Sequence, residues 1–572
     1  MTLGVADRQG NLLDDMSEFC EKALAPDSIY AFIHRERDRL FPDSDFADLY
    51  QESGRCSVPP SVVASVMVLQ RLEGLSDREA VERYSFDARW RYACGVGSYD
   101  TGGWASFAHT VLVEMRMRLR GSERPDRVFE VTIDAAKSAG LVGKKRVLDS
   151  TPLHDAVATM DTITLIRSAI RALLKVAAPE LRAELQAVLR SGDEYTSNSK
   201  PQVDWDDKEA QAELIDSRAK DGFACIVALS GRELSEAVFQ AAVLLTTVLG
   251  QDLEEREDGR FAIAHRVAKD RVISTVDPET RHGHKSSAHG FDGWKGHVAI
   301  DPDSEIITAT AVTAGNVGDG SVATELIADL VDDEPLAEDL AEAEDLGEQA
   351  PLAKDDQTSE NAPATDAAAD LVDDEPLGDE QRSDSRKVYG DSAYGSGAFQ
   401  EHLEEEGIES RAKSQDPVAK NGLFTKDRFV IDLEDDTVTC PAGITVEIRR
   451  NNDESGIAKF AEHCASCPLR DQCTKAAEGR SVSVGVHEEV LARARARQKS
   501  QSWIEDYRAT RPKVERKLAH LVRRKHGGRR ARVRGRERVD QDFSLLAAAV
   551  NLARLATLGV SFTKAGWAFP AA

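Results

Sequence analysis

A duplicated acidic segment limits what this chain can fold into more than any other feature of its sequence. The peptide ADLVDDEPL occurs at 328–336 and again at 369–377, a period of 41 residues. Residues 321–386 hold 22 acidic and 3 basic side chains, and no aromatic residue separates the two copies. Such a composition cannot bury enough apolar surface to offset the entropy lost on ordering. We therefore predict a disordered, duplicated insertion at 321–386, with the folded protein assembled from the chain on both sides.

The acidic segment masks a basic one. The chain of 572 residues has a formal net charge of -27, of which -19 lies in 321–386. Residues 491–538 carry 18 Lys and Arg against 4 Asp and Glu, a local charge of +14. Because local charge steers partners more than the total does, a nucleic-acid partner is expected.

Nothing in the sequence predicts a membrane partner. The most apolar stretches, such as 239–250, are too short to span a bilayer, and the N-terminus lacks a basic start followed by an apolar run. We expect a cytoplasmic, nucleoid-associated protein. In that reducing compartment the eight cysteines are expected to be free thiols or metal ligands rather than disulfides.

The segment 59–95 predicts consecutive helices. Apolar residues recur at helical spacing, Gly74 marks the end of the first helix, and Ser76 with Glu79 predicts a capping box that starts the second. Two helices joined by a tight turn are typical of a helix-turn-helix DNA reader, but equally of any small bundle. Both interpretations stay open on spacing alone.

The rest of the chain predicts a mixed α/β core. A helical region runs from Thr151 to about Leu249, and residues 291–315 alternate as a β-hairpin does. Strand patterns occur at 146–151, 296–313, 387–391 and about 408–413, with helical stretches between and after them.

Three carboxylates stand in similar sequence settings. Asp149 ends the short apolar strand of KKRVLDSTPL, and Asp391 ends that of KVYGDSAYGSG. Glu515 falls in the first turn of a helix that starts at Pro512. Taken singly, the aspartates fit turn chemistry, and Glu515 fits a dipole-favoured acid or a partner for Arg511. Taken together among basic residues, they fit a site in which two Mg²⁺ ions promote phosphoryl transfer.

Four cysteines form a second constellation. Cys440, Cys464, Cys467 and Cys473 give the spacing C-x23-C-x2-C-x5-C. Four thiolates suit a structural Zn²⁺ site that would hold a small module together, and His463 could replace one of them. Buried free thiols are the alternative.

Two basic segments are candidates for DNA contact. The first, RHGHKSSAHGFDGWKGH, contributes Lys285 and Lys295, which we expect to line a phosphate path or a loop rather than a metal site. The second is the arginine-rich run 525–539 with the residues just before it, where clustered arginines can follow phosphates and release counterions. Its candidate residues are Arg523, Arg524, Arg529 and Arg530. A solvated helix face is the alternative for this run.

In order along the chain, these motifs resemble the DDE transposases of bacterial insertion sequences. The resemblance rests on GLSDREAVERYSFDARWRYACGVG, RVLDST, the histidine-rich block and its hairpin, VYGDSAYGSG, CASCPLRDQCT and YRATRPKVERKLAHL, spanning roughly 55–555. It implies that Asp149, Asp391 and Glu515 are the catalytic carboxylates. Tyr507 and Arg511 fall in the tyrosine/arginine signature before the glutamate, one residue farther apart than is common. Val522, followed by Arg523, stands where a lysine is often found.

The resemblance also implies a fold, cofactors and partners. The fold class is α/β, an RNase H-like mixed sheet with a helical N-terminal domain, a helical insertion and a Cys-rich insertion. The expected cofactor is Mg²⁺ or Mn²⁺. The expected partners are double-stranded DNA, as terminal inverted repeats and target, and a second copy of the chain in a homodimer. A nuclease or repair enzyme, and a catalytically decayed DNA-binding protein, remain alternatives.

The predicted domain boundaries follow from these motifs. They are a helical DNA-binding or assembly domain at 1–125, a first core part at 140–320 with its helical insertion at about 152–250, the acidic insertion at 321–386, a second core part at 387–425, the Cys-rich insertion at 426–485, and C-terminal helices at 486–560.

Overall fold

The computed structural model describes residues 1–2, 15–97, 106–155, 157–197, 206–266, 268–286, 289–331, 385–419 and 422–570. Most of the predicted acidic insertion therefore lies outside the described residues. Within the described residues, no helix combines the length and the apolar character that crossing a membrane requires.

The chain begins with helices that precede any long strand. They are α1 (Asp15–Ala23), α2 (Ile29–Leu40), α3 (Pro60–Glu73), α4 (Asp77–Phe86), α5 (Ala88–Ala93), α6 (Thr110–Arg120) and α7 (Arg127–Ser138). The predicted stop and start signals are confirmed, because Gly74 ends α3 at φ +67° and both capping-box hydrogen bonds of Ser76 and Glu79 are present.

Strands and helices then alternate through the middle of the chain. The order is β1 (Lys145–His154), α8 (Thr162–Val176), α9 (Pro179–Val188), α10 (Lys208–Leu229), α11 (Glu236–Asp252), β2 (Leu253–Glu255), β3 (Phe261–Ile263), β4 (Arg281–Ser286), β5 (His289–Ile300), β6 (Ile307–Ala314), α12 (Ala328–Val331), β7 (Lys387–Gly390), α13 (Gly397–Glu405) and β8 (Glu409–Ala412).

A small β-module and the C-terminal helices complete the chain. The elements are β9 (Val430–Asp432), β10 (Thr437–Thr439), β11 (Thr445–Arg450), β12 (Gly456–Lys459), α14 (Arg470–Cys473), β13 (Ser481–Val484), α15 (Glu488–Arg497), α16 (Gln501–Thr510), α17 (Pro512–Leu521), α18 (Arg536–Thr557), β14 (Ser561–Thr563) and β15 (Gly566–Ala568). The strands β9 to β13 form their own antiparallel sheet around a separate apolar core.

The central sheet has the strand order β4-β5-β1-β7-β8, with β6 beside β5. Strand β1 is antiparallel to β5 and parallel to β7, and β7 is parallel to β8. This mixed sheet, flanked by helices, has the RNase H-like arrangement that was predicted. Alternate residues of β1 belong to different apolar cores: Val147 to the core that includes α3 and α18, and Leu148 to the core that includes α12 and α13.

Two sequence expectations need correction. Asp149 does not end its strand, because β1 continues to His154 by pairing with β5. Residues 321–331 do not belong to the insertion, because Leu326, Ile327 and Leu330 are buried against the sheet. The folded core therefore continues through Val331, beyond the predicted start of the insertion.

Helix α3 is a core helix rather than a surface one. Its residues from Pro60 to Arg71 are all buried, and it packs against α18. Because no face of α3 reaches solvent, α3 cannot lie in a DNA groove in this fold. The second helix of a helix-turn-helix is the one that reads DNA, and α4 has only Ala80 and Tyr84 buried, so the DNA-reader interpretation of the α3–α4 pair stays a prediction.

Candidate active site

An open cavity of about 1500 Å³ lies beside the central strands β1 and β7, at the end where β7 finishes. Asp149, Asp391 and Glu515 all line it. These residues come from β1, from the loop after β7 and from α17, so only the folded chain brings them together.

The register of the two parallel strands explains why the aspartates meet. Val147 of β1 pairs with Tyr389 of β7. Asp149 and Asp391 each stand two residues farther along, at the same level of neighbouring chains. Parallel neighbours lie about 5 Å apart, so both carboxylates reach the same end of the sheet.

The loop that carries Asp391 depends on one glycine. The Asp391 side chain accepts a hydrogen bond from the Ala393 N–H at 2.9 Å, which closes a tight turn. A Cβ at Gly395 would clash with the carbonyl oxygen of Lys413 on the neighbouring segment. The glycines behind Asp391 thus include one that a close backbone approach requires.

Arg511 lies between the carboxylates. Its Nη2 is 3.0 Å from Asp149 Oδ2, and its Nη1 is 3.5 Å from Glu515 Oε1. The Arg511 side chain is 8% exposed, while that of Glu515 is 66% exposed. Burial raises the pKa of Asp149 above its usual value, Arg511 opposes this shift, and the Asp391 carboxylate adds to it.

The donor set suits a hard divalent cation, although no cation geometry is preformed. Among the described residues, no group of three or more His, Cys, Asp or Glu side chains is arranged to hold a metal ion. Three carboxylates nevertheless face one cavity, and carboxylate oxygens are the ligands that Mg²⁺ and Mn²⁺ take. In this structure Arg511 supplies the positive charge between Asp149 and Glu515. By their chemistry, the three carboxylates fit the expected divalent cation.

Basic side chains surround the carboxylates. Lys285 and Arg529 are exposed and line the same cavity. Arg523, Arg524 and Arg530 are exposed outside that lining, on the segment after α17. Buried Arg511 keeps Nε without a hydrogen-bond partner, while its Nη1 lies 3.5 Å from Glu515 Oε1.

Lys295 and Tyr507 have partners within the protein. The Lys295 ammonium donates to Asp319 Oδ1 at 2.7 Å and to the Val317 carbonyl at 2.8 Å, although it also lines the cavity. Tyr507 is half-buried, stacked on Trp503, and has the Lys413 ammonium 4.9 Å from its ring centroid. Any DNA contact by these two residues would be made alongside these interactions.

A buried polar network below the cavity was not predicted. His297 of β5 is 0% exposed and bonds the Tyr394 hydroxyl at 3.0 Å through Nδ1 and the Thr313 hydroxyl at 2.8 Å through Nε2. Asp319 joins Lys295 to Ser150, the residue after Asp149. The one sequence signal was GNVGDG, where Asp319 follows a glycine just after a strand, as Asp391 does.

His297 predicts a loss of stability in acid. Burial lowers its pKa from 6.5 to about 4, with Asp319 opposing the shift and Lys295 adding to it. Between those values the unfolded chain binds more protons, so stability is full above pH 6.5 and falls as the pH drops toward 4. We expect this group to cost about 2 kcal/mol between pH 7 and pH 5.

Thermal unfolding of wild type and of His297→Asn across this pH range measures the effect. The variant should lose less stability on acidification than wild type does. His265→Asn is the control, because its side chain is 93% exposed and the change should leave the pH profile as it was. Parallel pH profiles for wild type and His297→Asn would contradict the expectation.

The four cysteines meet in the β9–β13 module. Cys440, Cys464, Cys467 and Cys473 line one small pocket together with His463. Burial raises the pKa of Cys473, as do the other three thiols, while Arg480 lowers it. Cys464 Sγ also accepts a hydrogen bond from the Arg480 backbone N–H at 3.4 Å. The thiols are thus close enough to interact, but they are not arranged as a preformed metal site within the described residues.

Comparison with protein families bears on both ends of the chain. A family model described as "Transposase DDE domain" matches residues 439–556, and one described as "Transposase domain (DUF772)" matches residues 18–118. The two matches support a DDE-type transposase of an insertion sequence. No curated protein and no solved structure matches the chain.

The matches cover the candidate site unevenly. The DDE match includes Glu515, Arg511 and the basic run of the transposase, and it begins just before Cys440. Asp149 and Asp391 lie outside both matches. Transposases of this class generally use a divalent metal such as Mg²⁺. The roles of the two aspartates therefore rest on the cavity and on the strand register.

Proposed function

We propose that this transposase cuts DNA at the ends of its element in a divalent-metal-dependent reaction and joins the freed 3′-hydroxyl to target DNA. The observation that carries the proposal is the shared cavity: two aspartates at one level of parallel strands face a helix-borne glutamate. The proposal assigns Asp149, Asp391 and Glu515 as the ligands of Mg²⁺ or Mn²⁺. Such ions, when bound, activate water or a hydroxyl and stabilise the leaving oxygen.

The chain's own residues supply binding and orientation. Lys285 and Arg529 on the cavity wall would hold the phosphates that flank the cut bond, because exposed cations bind phosphate oxygens. The guanidinium of Arg511, which lines the cavity, would bind a phosphate beside the carboxylates. Arg523, Arg524 and Arg530 would follow the duplex outward, with Lys295 and Tyr507 bordering the site.

The resemblance to insertion-sequence transposases supports the remaining parts of the proposal. The substrates would be the element's terminal inverted repeats and a double-stranded target, handled in the cytoplasm on nucleoid DNA. The active species would be a homodimer.

Cleavage of a duplex that carries the gene's own flanking DNA tests the proposal. Wild type should nick at the element ends with Mg²⁺ or Mn²⁺ and not with EDTA, and a duplex with scrambled ends should stay intact. Equal cutting of both duplexes would indicate a nuclease or repair enzyme instead. Folded protein that binds the end DNA but never cuts it would indicate a decayed, binding-only protein.

We also propose that the four cysteines hold a structural Zn²⁺ ion, because four thiolates fit a closed tetrahedral site. Protein purified without chelator should contain about one zinc per chain, and Cys467→Ser should lose it. Removing the metal should expose 430–484 to protease, since binding energy in such modules is folding energy.

Cys225→Ala is the matched control for the zinc measurement. Cys225 is a buried free thiol in α10, far in sequence from the module, and its variant should keep the metal. Zinc-free wild type that resists protease as well as the untreated protein would identify the four cysteines as ordinary buried thiols.

A further inference from the structure

A fourth carboxylate faces the proposed active site and has no role in the mechanism above. Asp319 follows Gly318 after β6 and lines the same cavity as the three acidic residues. Its side chain is only 10% exposed. A nearly buried carboxylate is costly unless it is paired, so its partners indicate what it does.

Both oxygens of Asp319 are already engaged. Oδ1 accepts from the Lys295 ammonium at 2.7 Å, and Oδ2 accepts from the Ser150 hydroxyl at 2.6 Å. Lys295 is fixed in turn by the Val317 carbonyl at 2.8 Å. Asp319 is therefore placed to hold its neighbours rather than to take a ligand from the cavity.

The Ser150 contact leads directly to Asp149. The Ser150 backbone N–H donates to Asp149 Oδ1 at 2.8 Å, while Oδ2 faces Arg511. Anchoring the Ser150 side chain restrains the rotation of that peptide. The Asp149 carboxylate is thereby held with one oxygen bonded to the chain and the other paired with Arg511, beside the cavity that both residues line.

The loop that carries Asp391 is held by a neighbouring set of contacts. The Tyr394 backbone N–H donates to the Asp391 carbonyl at 3.2 Å, and the Tyr394 hydroxyl is tied to β5 through His297. The hydrogen bonds of Asp319 itself lead through Ser150 to Asp149.

We propose that Asp319 is a positioning residue that sets the divalent-metal affinity of the site by fixing Asp149 through Ser150. The inference rests on the proposed function, since it assumes that Asp149 binds the metal. Groups behind metal ligands typically change affinity or activity by 10- to 100-fold when they are removed.

Two titrations test the role of Asp319. The first measures cleavage of end DNA against Mg²⁺ concentration, and the second measures Mn²⁺ binding without DNA by the EPR signal of free Mn²⁺. For Asp319→Asn we expect the half-saturating Mg²⁺ and the Mn²⁺ dissociation constant each to rise about tenfold, with the rate at saturating metal changed less. Ser150→Ala should shift both curves in the same direction, and Ser150→Thr, which keeps the hydroxyl, should restore them.

The matched control is Asp252→Asn. Asp252 is equally buried and also binds one hydroxyl and one cation, those of Thr162 and Arg271, but it lies at the end of α11 outside the cavity lining. Its variant should keep wild-type metal curves even if it melts earlier, which separates positioning from general destabilisation.

The outcomes for the two proposals differ. Wild-type metal curves for Asp319→Asn, or a lower maximal rate at unchanged metal affinity, would overturn the positioning role and leave the proposed function intact. If wild type binds Mn²⁺ but never cuts DNA, the proposed function is wrong. The Mn²⁺ binding curves of wild type and Asp319→Asn would still decide the role of Asp319. Absence of Mn²⁺ binding by wild type would overturn both.

Discussion

Cleavage of element-end DNA is expected to fall by about 10³-fold or more when Asp149 or Asp391 is replaced by asparagine. Asparagine keeps the shape of the side chain and can still accept the hydrogen bonds from Ser150 N–H or Ala393 N–H. It removes the charge that a divalent cation needs. Single-turnover cutting of labelled duplex at saturating Mg²⁺ measures the loss.

The same measurement separates the three carboxylates from their neighbours. Glu515→Gln should fall in the same class, although its exposed side chain takes part in little of the packing. Asp252→Asn should cut as wild type does, because it removes a buried, ion-paired carboxylate outside the cavity. Cutting by Asp391→Asn at the rate of Asp252→Asn would remove Asp391 from the mechanism.

Replacing Arg146 with methionine is expected to destabilise the fold by about 3–5 kcal/mol, the usual cost of breaking a buried ion pair on one side. Arg146 lies on β1 and is 1% exposed. It binds the Asp329 carboxylate of α12 at 2.6 Å and the carbonyl oxygens of Gly143 and Lys145 at 2.7 Å each. Without it, the buried Asp301 and the partly buried Asp329 lose their cation.

Thermal unfolding of paired variants measures this cost. Arg146→Met should melt well below wild type. Adding Asp329→Leu should recover part of the loss, because the double variant has one unpaired carboxylate fewer than Arg146→Met alone. Arg260→Met is the control, since the ion pair of Arg260 with Glu209 is exposed and worth little. Equal melting of the Arg146 and Arg260 variants would show that solvent compensates the carboxylates.

Sequence patterns correctly predicted the helices and strands whose formation depends mainly on neighbouring residues. The parallel strands β7 and β8, the hairpin of β5 and β6, and the helix that starts at Pro512 all occur where alternation or a proline predicted them. The length of β1 was predicted wrongly: the helical region was expected to begin at Thr151, but β1 runs to His154 because its second half pairs with β5, and α8 begins only at Thr162. At Gly293 a side chain would clash with the Leu153 carbonyl, so that pairing depends on a tertiary contact.

The candidate site likewise contains residues that local sequence identified and residues whose partners are distant in the sequence. The three carboxylates were proposed from their settings and from the family resemblance, and in the structure they line one cavity. Asp319 was not predicted, because its partner Ser150 is 169 positions away in the sequence and no local pattern links a hydroxyl to a carboxylate over such a sequence separation. Lys295 was interpreted from its charge alone, and the ion pair that engages it became visible only in the fold.

The junction at Leu330 and Arg386 has a consequence for how this gene can change. Arg386 donates to the Leu330 carbonyl at 2.8 Å, so the two described segments that flank residues 332–384 meet at one contact, where β7 begins. Asp391 lies beyond the opposite end of that strand. Since doubling the length of a flexible loop costs only about 0.6 kcal/mol, we expect tandem copying of DNA between these two contact points to cost the fold little, if the predicted disordered insertion is such a loop. The nine-residue repeat of ADLVDDEPL, at a period of 41 residues, is what such copying would leave in the sequence.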